Sequence, residues 1–259
     1  MSTNSGRTIS IANQKGGVGK TTTAVNLSAC LAQLGRKTLI IDMDPQGNTT
    51  SGLGVDKKNL DNSIYNLLLG ECFITDAMKD TVVPNLTLVP SNMELAGAEI
   101  ELVSAAGREH ILAKILRDVK YLYDYVIIDC PPSLNILTLN AFVATDTVLV
   151  PLQCEFFAME GLSQLFHTIE LVKKRLNDRI KVEGIVFTMY DGRTNLSLQV
   201  VDEVKRFVSS DIYKCIVPRN VRLSEAPSHG LPITLYDKSS KGAEAYIQLA
   251  ELVDERKGL

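Results

Sequence analysis

Lys15-Gly-Gly-Val-Gly-Lys-Thr-Thr22 constrains the fold of this chain more than any other stretch. It follows a short apolar run, Ile9–Ala12, and opens a helical pattern that begins near Lys20. Closely spaced glycines let the backbone curl until several N–H groups converge on one anion, and the helix that follows points its positive end at the same place. A loop of this kind cradles phosphates. It holds its shape only with a strand behind it and a helix in front, which points to an α/β architecture.

The rest of the pattern agrees. Strand-like runs at Thr8–Ala12, Thr38–Asp42, Leu86–Val89, Tyr125–Asp129, Thr147–Pro151, Val182–Thr188 and Tyr213–Val217 alternate with helical ones at Lys20–Leu34, Ser63–Leu69, Ala96–Tyr121, Glu160–Leu176, Leu196–Val208 and Lys241–Arg256. Runs such as Leu39–Ile41 and Val126–Ile128 are apolar on both faces, as buried parallel strands are. The expected fold class is α/β: a single-domain P-loop NTPase fold over residues 1–259, with a mostly parallel central sheet and helices on both faces. The 43–59 segment, rich in Gly, Asn, Thr and Asp, reads as a functional loop running into a turn or short helix. There is no internal repeat and no interdomain linker.

Charge does not decide the partner class. With 27 basic and 30 acidic residues the net charge is −3, which excludes a basic protein overall but not a local basic patch. The cysteines, Cys30, Cys72, Cys130, Cys154 and Cys215, are scattered without CxxC spacing, so reduced thiols are expected rather than a disulfide frame or a zinc site. Met1–Arg7 is polar and no apolar run is long enough to span a bilayer, so a cytoplasmic protein is expected.

The phosphate loop departs from the GxxxxGK[ST] form, because Gln14 stands where its first glycine would be and an extra lysine, Lys15, opens the loop. Gly16, Gly17, Val18 and Gly19 supply the backbone cradle. Lys20 is placed for the β and γ phosphates, the Thr21 hydroxyl for Mg2+, and Thr22 follows on the same helix end. Three carboxylates fall at strand ends, where ligands bind in open parallel sheets. Asp129 reads as a metal group, Asp44 as the group that orients the attacking water, and Asp42 as a supporting metal group. Lys15 poses a problem of repulsion, since two ammonium groups in one small cavity need a highly charged anion between them. Whether Lys15 serves its own phosphates or those held by a second copy is open at this point.

Three ordered segments, Lys15–Thr22, Asp42-Met-Asp-Pro-Gln-Gly-Asn48 and Val126-Ile-Ile-Asp-Cys-Pro-Pro132, resemble the deviant Walker motifs of the ParA/Soj family of chromosome and plasmid partitioning ATPases. The resemblance covers nearly the whole chain. It implies Mg2+-dependent ATP hydrolysis, slow and partner-stimulated, in an ATP-bridged homodimer. Lys15 would cross to the partner's phosphates, which makes Lys15, Lys20 and Asp44 the catalytic set, and Pro218 and Asn220 would lie beside the adenine. It also implies non-specific binding to double-stranded DNA, a nucleoid-associated location and a centromere-binding ParB-type partner; a replication initiator enters as a further candidate only through the scaffold alternative below.

Arg193 and Arg222 resemble the family's DNA-contacting arginines, while Arg219, Lys205 and Arg206 are added as basic residues of the same half of the chain. A few such charges give salt-dependent, sequence-blind binding. A MinD-like membrane-cycling ATPase is the nearest rival, but the C-terminal segment Tyr246–Leu259 carries Glu251, Asp254 and Glu255 on its polar side where a membrane-seeking helix carries basic residues. Its apolar stripe is expected to pack on the sheet, with no membrane contact. A nucleotide-switched scaffold acting without turnover is the non-enzymatic alternative.

Overall fold

The computed structural model describes residues 6–208 and 212–256; part of the polar Met1–Arg7 stretch and the end of the 246–259 segment fall outside them. Eight strands form one sheet: β1 (Arg7–Ile11), β2 (Thr38–Asp42), β3 (Lys79–Asp80), β4 (Leu86–Val89), β5 (Tyr125–Asp129), β6 (Thr147–Gln153), β7 (Lys181–Tyr190) and β8 (Ile212–Pro218). Their order is β3-β4-β2-β5-β1-β6-β7-β8. All pairings are parallel except the two-residue edge strand β3 against β4.

The helices are α1 (Lys20–Gln33), α2 (Asn48–Gly52), α3 (Ile64–Leu69), α4 (Ile74–Ala77), α5 (Leu95–Glu101), α6 (Ile111–Arg117), α7 (Ile136–Ala144), α8 (Ala158–Arg175), α9 (Asn195–Phe207), α10 (Val221–Glu225), α11 (Ile233–Tyr236) and α12 (Lys241–Glu255). Alternate strand residues feed two cores. Ile9, Ile11, Ile40 and Ile127 pack toward α1 and α12, while Leu39, Ile41, Val126 and Ile128 pack toward α3 through α9. The expected doubly wound, mostly parallel sheet is therefore what forms. The C-terminal helix lies on it as expected, with Leu249, Ala250 and Val253 wholly buried.

Two local expectations are corrected, and one helix is added. Ala96–Tyr121 is not one helix: Gly107 adopts φ 66, and 3-10 turns at Leu102–Ser104 and Arg108–His110 separate α5 from α6. The helix α7 went unseen because it is buried on most sides and lacks an amphipathic period. Asn135 starts it, its side chain accepting from the N–H groups of Leu137 and Thr138. Strand β6 continues past Pro151 to Gln153. The Pro151 carbonyl accepts from Asn13 Nδ2 on the β1 side, where β1 has already turned into the phosphate loop, so no ladder partner misses the proline's absent N–H.

A buried polar cluster joins the last helix to the sheet. The wholly buried Glu183 side chain on β7 takes hydrogen bonds from Arg7 and the Tyr213 hydroxyl, and Arg256 stacks 4.1 Å from the Tyr213 ring centroid while donating to the Glu183 carbonyl. Asp254 on α12 binds the Arg36 guanidinium through both oxygens and accepts from the Tyr125 hydroxyl. Removing Glu183 strands the Tyr213 hydroxyl and a largely buried guanidinium. Glu183→Ala should therefore lower stability by about 2–4 kcal/mol, read as a reduced urea midpoint with an unchanged slope.

Candidate nucleotide and metal site

The phosphate loop lies between the carboxyl end of β1 and the amino end of α1, and β5 and β6 flank β1. Gly17 and Gly19 take φ of 77 and 87, values that side chains resist. A Cβ added at Gly16 would meet nothing within 4 Å, and Gly16 is exposed, so that side of the loop is open. Asn13 ties down the start of the loop. Its Nδ2 donates to the Pro151 carbonyl and its Oδ1 accepts the Lys15 N–H. Lys20 is 7% exposed and its ammonium donates to the Lys15 carbonyl at 3.0 Å, across the mouth of the loop. Burial pushes the Lys20 pKa down, and the carboxylates of Asp129 and Asp44 partly offset that.

Asp42 and Asp129 end neighbouring strands in register, and both are wholly buried. They differ in what they touch. Asp42 Oδ2 accepts from the Thr50 N–H and hydroxyl at 2.9 and 2.7 Å, and Oδ1 accepts the Asp44 N–H at 3.2 Å. The expected supporting metal group thus spends its oxygens on the Asp44–Thr50 segment and fixes its course. Asp129 Oδ2 accepts from the Thr49 hydroxyl at 2.8 Å, while its Oδ1 is buried with no hydrogen-bond partner. Burial raises the pKa of both carboxyls, the Asp42 charge adds to the Asp129 rise, and the Thr49 and Thr21 hydroxyls draw Asp129 partly back.

An orphaned carboxylate oxygen beside a threonine hydroxyl suits a hard cation. Among the described residues no cluster of three His, Cys, Asp or Glu groups could enclose a metal by itself. The residues therefore fit Mg2+ that takes most of its ligands from phosphates and water, with Thr21 and Asp129 at its protein side.

Asp44, 9% exposed, accepts the Gln46 N–H on Oδ1 and the Gly47 N–H on its carbonyl, so the carboxylate is carried on a tight turn facing the same edge. Gly47 allows that turn: φ is 60, and an added Cβ would lie 2.6 Å from the Ser91 carbonyl. Thr49, Thr50 and Ser91 were not singled out in the sequence. The hydroxyl run directly after Asp42–Gly47 was the available signal for the first two.

Lys15 is the exception to this convergence. Its ammonium forms an ion pair with Glu155, in the loop after β6, and both side chains are partly exposed. Glu155 carried no sequence signal apart from lying just beyond a strand's carboxyl end. On the other side of the loop a cavity of about 460 Å3 is lined by Gly19, Thr22, Thr188, Pro218, Asn220 and Tyr246. That is within the usual range for small-molecule sites, and it brings the expected Pro218 and Asn220 beside the phosphate loop. The Asn220 side chain also caps α10, accepting the Leu223 N–H.

The basic residues do not form one patch. Arg193 is paired with Asp191 at 2.6 Å, and Arg219 lies close enough to lower the Asp191 pKa, so both belong to the carboxyl edge. Arg222 is paired with Glu225 at 2.9 Å and Asp237 at 3.4 Å. Lys205 and Arg206 occupy the last turn of α9, which runs from the carboxyl end of β7 back to the amino end of β8. They therefore sit at the opposite edge of the sheet from Arg193 and Arg219.

A family profile described as "AAA domain" matches residues 6–182. The sporulation initiation inhibitor protein Soj of Bacillus subtilis is 55% identical over 96% of this chain and 98% of its own. The chromosome partitioning protein ParA of Myxococcus xanthus is 54% identical, covering 97% and 89% respectively. The chain belongs to the ParA/Soj family. A Mycobacterium smegmatis structure described as cobyrinic acid a,c-diamide synthase with bound ADP and magnesium superposes on this ParA/Soj-family chain with a TM-score of 0.86 at 39% identity, over 98% and 96% of the two chains. Among the described residues no helix is long and apolar enough to cross a membrane.

The raised carboxyls give a sign to the pH dependence. A carboxyl that holds its proton more tightly folded than unfolded favours the folded state below the ordinary carboxylate range near about pH 4, and loses that contribution as pH rises through its folded value. Asp129→Asn should therefore make the nucleotide-free protein more stable at pH 8 and flatten its stability between pH 5 and 8. The same variant should lose the gain in ADP affinity that Mg2+ confers. Thermal melts across pH, with calorimetry in Mg2+ and in EDTA, read both effects.

Proposed function

We propose that this chain is a Mg2+-dependent ATPase of replicon partitioning, which dimerises around ATP and in that state binds DNA without sequence preference. The observation that carries the reading is the site itself. Lys20, Thr21, Asp44 and the unsatisfied Asp129 oxygen converge beyond the ends of β1, β2 and β5, while Lys15 is held outside on Glu155. ADP with magnesium in the mycobacterial structure supports the choice of ligands.

The backbone of Gly16–Thr22 and the Lys20 ammonium would hold the triphosphate, and Pro218 and Asn220 would line the base side. Mg2+ held near Thr21 and Asp129 would neutralise charge on the β and γ oxygens. Asp44, carried on its turn, would orient the attacking water. Lys15 would leave Glu155 and reach a γ-phosphate held by a second copy, balancing charge as the phosphoryl group transfers. Because an exposed ion pair contributes only about 0–1 kcal/mol, a triphosphate readily outcompetes Glu155 for Lys15.

Dimerisation also places two basic patches on one rigid body, which binds a polyanion far better than either alone. Arg193, Arg219 and Arg222 are the DNA set at the nucleotide end; Arg193 and Arg222 would exchange their carboxylates for phosphates. Lys205 and Arg206 lie at the other edge and would add separate contacts. The partner that stimulates turnover is of ParB type, the complex is nucleoid-associated, and a replication initiator is a further partner. The scaffold alternative differs in requiring no turnover.

The Asp44→Ala chain should become a stable dimer by light scattering on addition of ATP and Mg2+ and stay bound to DNA; a persistent monomer contradicts the reading. Gly16→Val should fold normally, because its new side chain enters open space, yet fail to dimerise. Arg222→Glu should keep ATP-dependent dimerisation and lower DNA affinity by at least about tenfold at low salt, with the loss shrinking as salt rises. Unchanged DNA binding in that variant moves the contact elsewhere.

A further inference from the structure

The strand β7 ends against the phosphate loop. Thr188, 2% exposed, donates its hydroxyl to the Val18 carbonyl at 2.7 Å. The same side chain backs onto Gly19, where an added Cβ would lie 3.7 Å from the Thr188 methyl. Gly19, at φ 87, follows the Val18–Gly19 peptide directly, so on that side the chain offers little resistance to rotation of the peptide plane. In a trans peptide the C=O and N–H point in opposite directions. Anchoring the Val18 oxygen toward β7 therefore turns the Gly19 N–H away from β7 and into the loop.

A second observation marks the same spot. Met189, the next residue, has φ 48, one of two positive values at non-glycine residues among those described, and it lines the 460 Å3 cavity together with Thr188. Unfavourable backbone of this kind persists only where its surroundings over-determine it, and it concentrates at ligand sites. The other anchor of the loop, Asn13, acts on its first residue and does not reach the Val18–Gly19 peptide.

We propose that Thr188 is a positioning residue that locks the Val18–Gly19 peptide with its N–H facing the phosphate cavity, so that the loop is ordered for a di- or triphosphate before one arrives. This rests on the nucleotide reading above. A loop already in its bound conformation binds without first losing its freedom. A rotated peptide would instead present the Val18 carbonyl, the negative end of its dipole, to the phosphates.

Thr188→Val keeps the shape of the side chain and removes the donor. Calorimetry on the full chain would compare ADP with Mg2+, pyrophosphate with Mg2+, and adenosine. ADP and pyrophosphate should bind about tenfold more weakly, the effect of one lost buried hydrogen bond, while adenosine is unchanged. Thr188→Ser, which retains the hydroxyl, should bind ADP as wild type does. Thr188→Ala is read in the same way should the valine variant melt before it can be titrated. Wild-type ADP affinity in a folded Val or Ala variant overturns the assignment. So does an equal loss for adenosine and ADP, which makes Thr188 a packing residue of the base side, or a folded serine variant as weak as valine. Failure of the wild-type chain to bind ADP with Mg2+ would instead sink the nucleotide reading.

Discussion

Two carboxylates buried side by side at the ends of β2 and β5 set the character of the whole carboxyl edge. Burying ionised groups without counter-charge is costly, and a chain retains such an arrangement only where something compensates. Asp42 is compensated internally, by Thr50 and the Asp44 N–H, and in exchange it fixes the segment that carries Asp44. Asp129 is compensated on one oxygen only. Lys20, the lysine on which the Asp129 and Asp44 charges act, is itself pushed toward neutrality by burial. An edge in this condition is incomplete by itself and suits a cation bound with a polyanion.

The loop beside these carboxylates is held by the strands around it more than by its own residues. Asn13 fastens its start to β6 and Thr188 fastens its middle to β7, leaving the glycines free to present N–H groups. One lysine stays inside the site on a loop carbonyl, and the other is drawn out to Glu155. That division answers the repulsion problem posed by two lysines in one motif. It leaves Lys15 at the rim, where a second copy's phosphates would find it.

Much of this was legible in the residues, for identifiable reasons. Buried parallel strands are continuous apolar runs, so β2 and β5 could be placed to the residue, and the glycine-rich loop announced itself by composition. The helix α7 was not legible because burial on most sides removes the period that reveals a helix. Pro151 read as a strand end because only the finished sheet shows that its missing N–H faces no partner. The site followed the same division. Asp42, Asp44, Asp129 and Lys20 stood out because a charged group at a strand end or in a glycine-rich loop is visible in the sequence, whereas Thr49, Thr50, Thr188 and Glu155 owe their places to contacts that only the folded chain makes. The basic residues show the limit of chain proximity as a guide, since Lys205 and Arg206, one helix length from Arg193, lie at the other edge of the sheet.

Whether Lys15 acts on a second copy's nucleotide is decided by mixing two inactive chains, Lys15→Ala and Asp44→Ala, with ATP and Mg2+. In a mixed dimer, the site that keeps Asp44 receives Lys15 from its neighbour, while the other site lacks both. Hydrolysis should reappear on mixing, rising toward about half the wild-type rate per mixed dimer. A mixture as silent as its components contradicts the account.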